Sequence, residues 1–166
     1  TREKYGWECK KEDLVTSPGI IPALYELIGL ICEEGDKVLF TTPSYAFFDK
    51  AAAFNNKESI YSPLKLAENG EYSLDFEDLA KKAKDAKVLI FCNPHNPTGV
   101  IWTEEELKKV AAIAEENDLW LISDEIHCDL IRSWESHIPL AKVSDYDKII
   151  TTMSPSKTFN LAGLML

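Results

Sequence analysis

Four short polar segments carry the residue types that could do chemistry. Met153-Ser154-Pro155-Ser156-Lys157 offers a primary amine with hydroxyls beside it. Asp124-Glu125-Ile126-His127 offers two carboxylates and an imidazole. Residues 93–99, Asn-Pro-His-Asn-Pro-Thr-Gly, offer the amide of Asn96 in a proline-bounded turn, and Pro43-Ser44-Tyr45 offers a phenol. A lysine amine can attack a carbonyl and, once free again, move a proton. A carboxylate keeps a neighbouring protonated nitrogen charged. Hydroxyls and the N–H groups that open a helix bind anions, and Gly19-Ile20-Ile21 opens an apolar helical repeat.

Regular elements must bring these segments together. Residues 20–34 have helical periodicity, with Leu24, Leu27, Ile28 and Ile31 on one face and Gly35 as the stop. Residues 37–42 form a short β-rich run, 44–54 a helix, 59–62 a strand, and 74–86 an amphipathic helix with Asp75 near its start. Residues 88–92 and 119–123 are continuous apolar runs of the buried-strand kind. Between them Thr103 and Glu106 have the spacing of a capping box, which opens a helix reaching about residue 117. Residues 148–152 read as a further strand. Strands separated by helices of this length predict βαβ units, an α/β three-layer sandwich with a mostly parallel central sheet. Residues 129–141, with Pro139, form the only long irregular stretch, and no repeat or domain boundary interrupts the chain. In such a sheet ligands sit beyond the carboxyl ends of the strands. Each polar segment directly follows a strand, so all four are expected on one edge.

A pyridoxal-5′-phosphate (PLP) enzyme asks five things of its protein. It needs a lysine for a Schiff base, an anion for the pyridinium nitrogen and a donor to the phenolic oxygen. It also needs an aromatic ring to stack on the pyridine and an anion site for the phosphate. The sequence resembles the class I/II aminotransferase family, the fold type I PLP-dependent enzymes. The resemblance rests on residues 93–99, on Ser123-Asp124-Glu125-Ile126-His127, and on Ser154-Pro155-Ser156-Lys157 with Thr158-Phe159-Asn160. Their order and separations match the family, and the likeness covers essentially the whole chain.

The resemblance implies a PLP-dependent transferase-like major domain with PLP as cofactor. It makes Lys157 the Schiff-base lysine and, after release, the base on the substrate Cα proton. Asp124 is implied as the partner of the pyridinium nitrogen and Asn96 as the donor to the phenolic oxygen. Tyr45 is implied as the stacking aromatic, with Ile126 on the opposite ring face. Ser154 and Ser156, with the backbone of Gly19, Ile20 and Ile21, are implied to hold the phosphate. His127 is implied to assist at the phenolic oxygen, completing a catalytic set with Lys157 and Tyr45. Plain structural uses stand beside these: Asp124 as a helix cap, Asn96 as a turn residue, Tyr45 as a core aromatic, His127 as a satisfied histidine.

Asp124-Glu125-Ile126-His127 followed by Asp129 resembles the bacterial cystathionine β-lyase (C–S lyase) branch; many aminotransferases have Tyr where His127 stands. Ser17-Pro18-Gly19-Ile20-Ile21-Pro22 and residues 156–163 point the same way. Two positions depart from the patterns. Many aminotransferases carry an arginine eight residues after the lysine, and here that position is Met165. The lyase branch often has a second aromatic after the stacking Tyr, and here that position is Ala46. The lyase reaction breaks the Cβ–sulfur bond and yields a thiol, pyruvate and ammonia. Transamination shares its first step, so both reactions stay open, as does a PLP-binding sensing domain of a regulator. The resemblance further implies a small amino-acid substrate and a homodimer whose subunits share the active site. It also implies an N-terminal segment and a C-terminal small domain beyond residues 1–166, the latter supplying an arginine for the substrate carboxylate.

The bulk properties agree with a small-molecule enzyme. The chain has 166 residues, is 45% hydrophobic and 28% charged, and carries a net charge of −10. Such an acidic surface repels phosphate backbones, which argues against nucleic acid as a partner. No apolar run approaches the roughly 20 residues that cross a bilayer, and no signal peptide opens the chain, so a cytoplasmic protein without a membrane partner is expected. Cys9, Cys32, Cys92 and Cys128 lack the close pairing of a metal site and read as free thiols, with Cys32 and Cys92 in the core. The chain starts at Thr1 and stops at Leu166 inside an apolar segment, as expected of a piece of a longer protein.

Overall fold

The structure, a computed structural model, describes residues 2–164. After a short helix α1 (Arg2–Tyr5), the chain forms α2 (Ile20–Ile31), β1 (Lys37–Thr42), α3 (Ala46–Phe54) and β2 (Glu58–Pro63). A small hairpin follows, β3 (Lys65–Leu66) and β4 (Tyr72–Ser73), then α4 (Phe76–Ala83) and β5 (Val88–Cys92). The rest comprises α5 (Glu104–Glu116), β6 (Trp120–Asp124) and β7 (Ile149–Thr152). Five strands make one sheet in the order β2-β1-β5-β6-β7, and every pairing is parallel.

Strand alternation divides the core in two. Leu39, Leu89, Phe91 and Leu121 face one way and pack with Leu79, Leu107, Val110 and Ala111 of α4 and α5. Val38, Phe40, Val88, Ile90 and Ile122 face the other way and pack with Leu24, Ile28, Phe48 and Ala52 of α2 and α3. Burial on both faces explains why β5 reads as an unbroken apolar run. The expected three-layer α/β sandwich is therefore the observed one. Cys32 and Cys92 are buried as expected. Among the described residues no helix is long and apolar enough to cross a membrane.

Local chemistry moves several boundaries from their sequence positions. The helix expected over 20–34 ends at Ile31. The Asp36 carboxylate takes the Glu33 N–H at 2.8 Å, and the Asp36 N–H returns to the Glu33 carbonyl, which closes a turn instead. The helix expected from residue 44 begins at Ala46, because Tyr45 is an extended N-cap. The helix expected over 74–86 is narrower, since Asp75 caps it through the Asp78 N–H at 3.2 Å. The capping box of Thr103 and Glu106 is present as read. Asp124, placed after its strand by sequence, is the strand's last residue and pairs in register with Cys92 and Thr152. The β3–β4 hairpin has two residues per strand, too few for any periodic signal.

Trp102 fixes the return from the loop after β5. Its ring is 2% exposed, and its Nε1–H donates to the Cys92 carbonyl at 2.9 Å. Trp102→Phe keeps an aromatic ring but leaves that buried carbonyl without its donor. The expected loss is about 1–3 kcal/mol, read as a lower urea midpoint with an unchanged slope.

Candidate active site

The strand order reverses between β1 and β5: the chain leaves β1 for β2 on one side and returns to the other side at β5. That reversal opens a crevice beyond the carboxyl ends, where open α/β sheets take ligands. Pro43-Ser44-Tyr45 leaves β1 at one lip, and residues 93–99 leave β5 at the other. Asp124 ends β6 on the next strand, and the Lys157 turn follows β7. α2 shares a core cluster with β1 and is joined to it by a short turn, so it runs back along the strand. Its start, Gly19-Ile20-Ile21, is thereby placed at the same edge. Gly19 has φ of 142°, a conformation that favours glycine.

Asp124 is 4% exposed. Its Oδ1 accepts only long bonds, from the Ile126 N–H at 3.3 Å and the Thr152 hydroxyl at 3.4 Å. Burial pushes its carboxyl up to about 6, against the opposing pull of those donors and of the Lys157 charge. The Asp124 charge in turn adds to burial in raising the Tyr45 phenol. His127 is lowered by burial first and by the Lys157 charge second. Asp124, Tyr45, Lys157 and His127 therefore lie within electrostatic reach of one another through shared partners. Ile126 is half-buried beside them. Tyr45, also half-buried, stands 5.3 Å from the Phe47 ring and edge-on to Phe48.

Asn96 and His127 meet at a cavity of about 270 Å³ whose walls include Ile101, Leu130 and Arg132; Lys157, Asp124 and Tyr45 do not line it. The Asn96 N–H donates to Cys92 Sγ at 3.4 Å. In the lysine turn, Ser154 donates to the Ser156 hydroxyl at 2.8 Å, and the Ser156 N–H returns to Ser154 at 3.1 Å. Lys157 itself is exposed, whereas Ser156 is buried. Met165 lies outside the described residues.

Two buried groups here had no role in the sequence reading. His95 bridges the crevice. One ring nitrogen lies 3.3 Å from the Thr41 hydroxyl and the other 2.8 Å from that of Thr98. Burial lowers it to about 4, so it is a neutral strut. It sits inside residues 93–99, the proline-bounded turn, which was the available signal. Glu125 points away from Asp124 and takes the Ser123 hydroxyl, the Leu140 N–H and His137 Nε2, at 2.7–2.9 Å. Eleven residues of irregular chain lie between Glu125 and His137, and no spacing rule links them.

The sequence pattern described as aminotransferase class I and II matches residues 2–166. The chain belongs to that family. Among curated members of the aminotransferase family, it is 39% identical to cystathionine β-lyase PatB of Bacillus subtilis (strain 168), over 98% of this chain and 43% of that one. It is 30% identical to the aspartate aminotransferase of Sulfurisphaera tokodaii, over 95% of this chain and 40% of that one. The crystal structure of the PLP-bound C-S lyase from Staphylococcus hominis matches with a TM-score of 0.96 at 54% identity, covering 99% of this chain and 42% of that one. The chain thus spans less than half the length of these family members.

Proposed function

We propose that this chain is the cofactor-binding part of a PLP-dependent carbon–sulfur β-lyase acting on a sulfur amino acid. The observation that carries the reading is Asp124, a buried carboxylate short of donors and within the field of the Lys157 amine. A buried anion of that kind is stabilised by a cationic N–H partner, which a protonated pyridine supplies. The other donors fit the same group. Lys157 offers the amine for covalent attachment, Asn96 and His127 offer donors to the phenolic oxygen, and Tyr45 and Ile126 offer the two ring contacts. Ser154 and Ser156 offer hydroxyls to the phosphate, beside the N–H groups of Gly19, Ile20 and Ile21 at a helix start.

Bound PLP draws electrons from the substrate and acidifies its Cα–H bond. The residues then divide the work. Lys157 takes the Cα proton, and Asp124 keeps the ring nitrogen protonated. The Cβ–sulfur bond would break with its electron pair going to sulfur, which takes the proton held by Lys157 and leaves as a thiol, and water would release the remaining carbon skeleton as pyruvate and ammonia. The likeness to a C-S lyase at 54% identity and the His127 position support elimination. The likeness to an aspartate aminotransferase supports amino transfer as the second reading. We further infer that the whole protein is a homodimer and that residues 1–166 alone turn over little.

The test mixes the full natural chain with PLP and L-cystathionine. Pyruvate and free thiol in equal amounts are the expected products. Amino transfer to a keto acid without pyruvate would replace the lyase reading with the aminotransferase one. Absence of a visible band from bound PLP would overturn both.

A further inference from the structure

One carboxylate outside the roles assigned above gathers donors from remote parts of the chain. Asp129 is half-buried at the head of the irregular stretch. Its Oδ2 accepts from the Thr158 hydroxyl at 3.0 Å. Its Oδ1 accepts from the Tyr5 hydroxyl and the Lys4 ammonium. Helix α1, the segment after β6 and the turn carrying Lys157 therefore meet on one side chain. Thr158 is the residue next to Lys157. The backbone bonds of that turn are local, from Phe159 to Pro155 and from Leu161 to Ser156. The Asp129–Thr158 bond instead reaches across 29 residues of sequence.

The tie continues inward. The Tyr5 ring stands edge-on to His137 at a centroid distance of 5.2 Å. His137 bonds Glu125, the neighbour of Asp124. A run of contacts thus leads from the lysine turn to the residue beside the buried carboxylate. Hydrogen bonds from Lys4 and then Tyr5 hold Asp129 below the usual carboxylate range, so it remains an acceptor at neutral pH.

We propose that Asp129 is a positioning residue, which sets where the Lys157 amine lies by holding Thr158 against Tyr5. The inference rests on the reading that Lys157 carries PLP. An exposed lysine on a turn takes its position from the turn, and a reacting group displaced by about 1 Å can lose on the order of 100-fold in rate.

The test compares the full natural chain with Asp129→Asn, Thr158→Val, Thr158→Ser and Lys157→Ala. Amide hydrogen exchange over residues 155–161 is followed without PLP. The growth rate and pH midpoint of the visible band are followed after PLP is added. Asp129→Asn and Thr158→Val are expected to speed the exchange, slow the band's growth by roughly tenfold and move its midpoint. Thr158→Ser, which keeps the hydroxyl, is expected to restore all three. Faster exchange with wild-type growth and midpoint would overturn the proposal, because the tie would then serve only local structure. Unchanged exchange would overturn it as well. A wild-type chain no different from Lys157→Ala after PLP addition would instead bring down the PLP reading, and the proposal with it.

Discussion

Asp124→Asn is expected to stabilise the full natural chain without PLP at pH 8, and to weaken its affinity for PLP. Burial raises the Asp124 carboxyl from 3.8 to about 6. A carboxyl with a raised folded-state value contributes stability below its unfolded value and loses it as pH rises through the folded one. The wild-type chain therefore gives up stability between about pH 4 and 6, by roughly 3 kcal/mol at most. Asparagine has no proton to lose, so its contribution stays flat there. Binding reverses the sign, because a protonated ring nitrogen needs the carboxylate. Removing one partner of a buried ion pair costs about 3–5 kcal/mol, so the dissociation constant for PLP should rise at least 100-fold. Urea titrations at pH 4 and pH 8, with absorbance titrations of PLP, measure both effects. A less stable Asp124→Asn chain at pH 8 would mean that the carboxylate is already satisfied without a cofactor.

Lys157→Ala should remove the visible band of bound PLP and lower turnover by about 10⁴-fold, the upper range for loss of a positioned base. Stability should change by no more than about 0.5 kcal/mol, since Lys157 is exposed. Activity lost without stability lost separates a chemical role from a folding one. A variant that keeps the band would move covalent attachment to another amine.

The middle of the sheet was readable because its central strands are buried on both faces. β5 and β6 showed as apolar runs, and the capping box marked the helix between them. The ends of elements were less readable, since they depend on single side chains such as Asp36 at the end of α2 and Asp75 before α4. The polar segments were readable as well, because each lies at or just past the carboxyl end of a strand and the parallel topology gathers those ends. Contacts that cross the irregular stretch left no trace in the sequence. Glu125 with His137 and Asp129 with Thr158 are joined only by the folded chain. Asp129 stood out in sequence as part of a likeness, not as the meeting point of Tyr5 and Thr158.

The two-sided burial of the central strands also bears on how such a chain can change over generations. Every residue of β5 is buried, so a substitution there disturbs a core and is removed by selection for folding. The residues that follow the strands, such as Ala46 and His127, lie outside the strands and are not fully buried. Selection can therefore try new side chains at the strand ends while the framework that presents them is kept, which is how one fold comes to carry several chemistries.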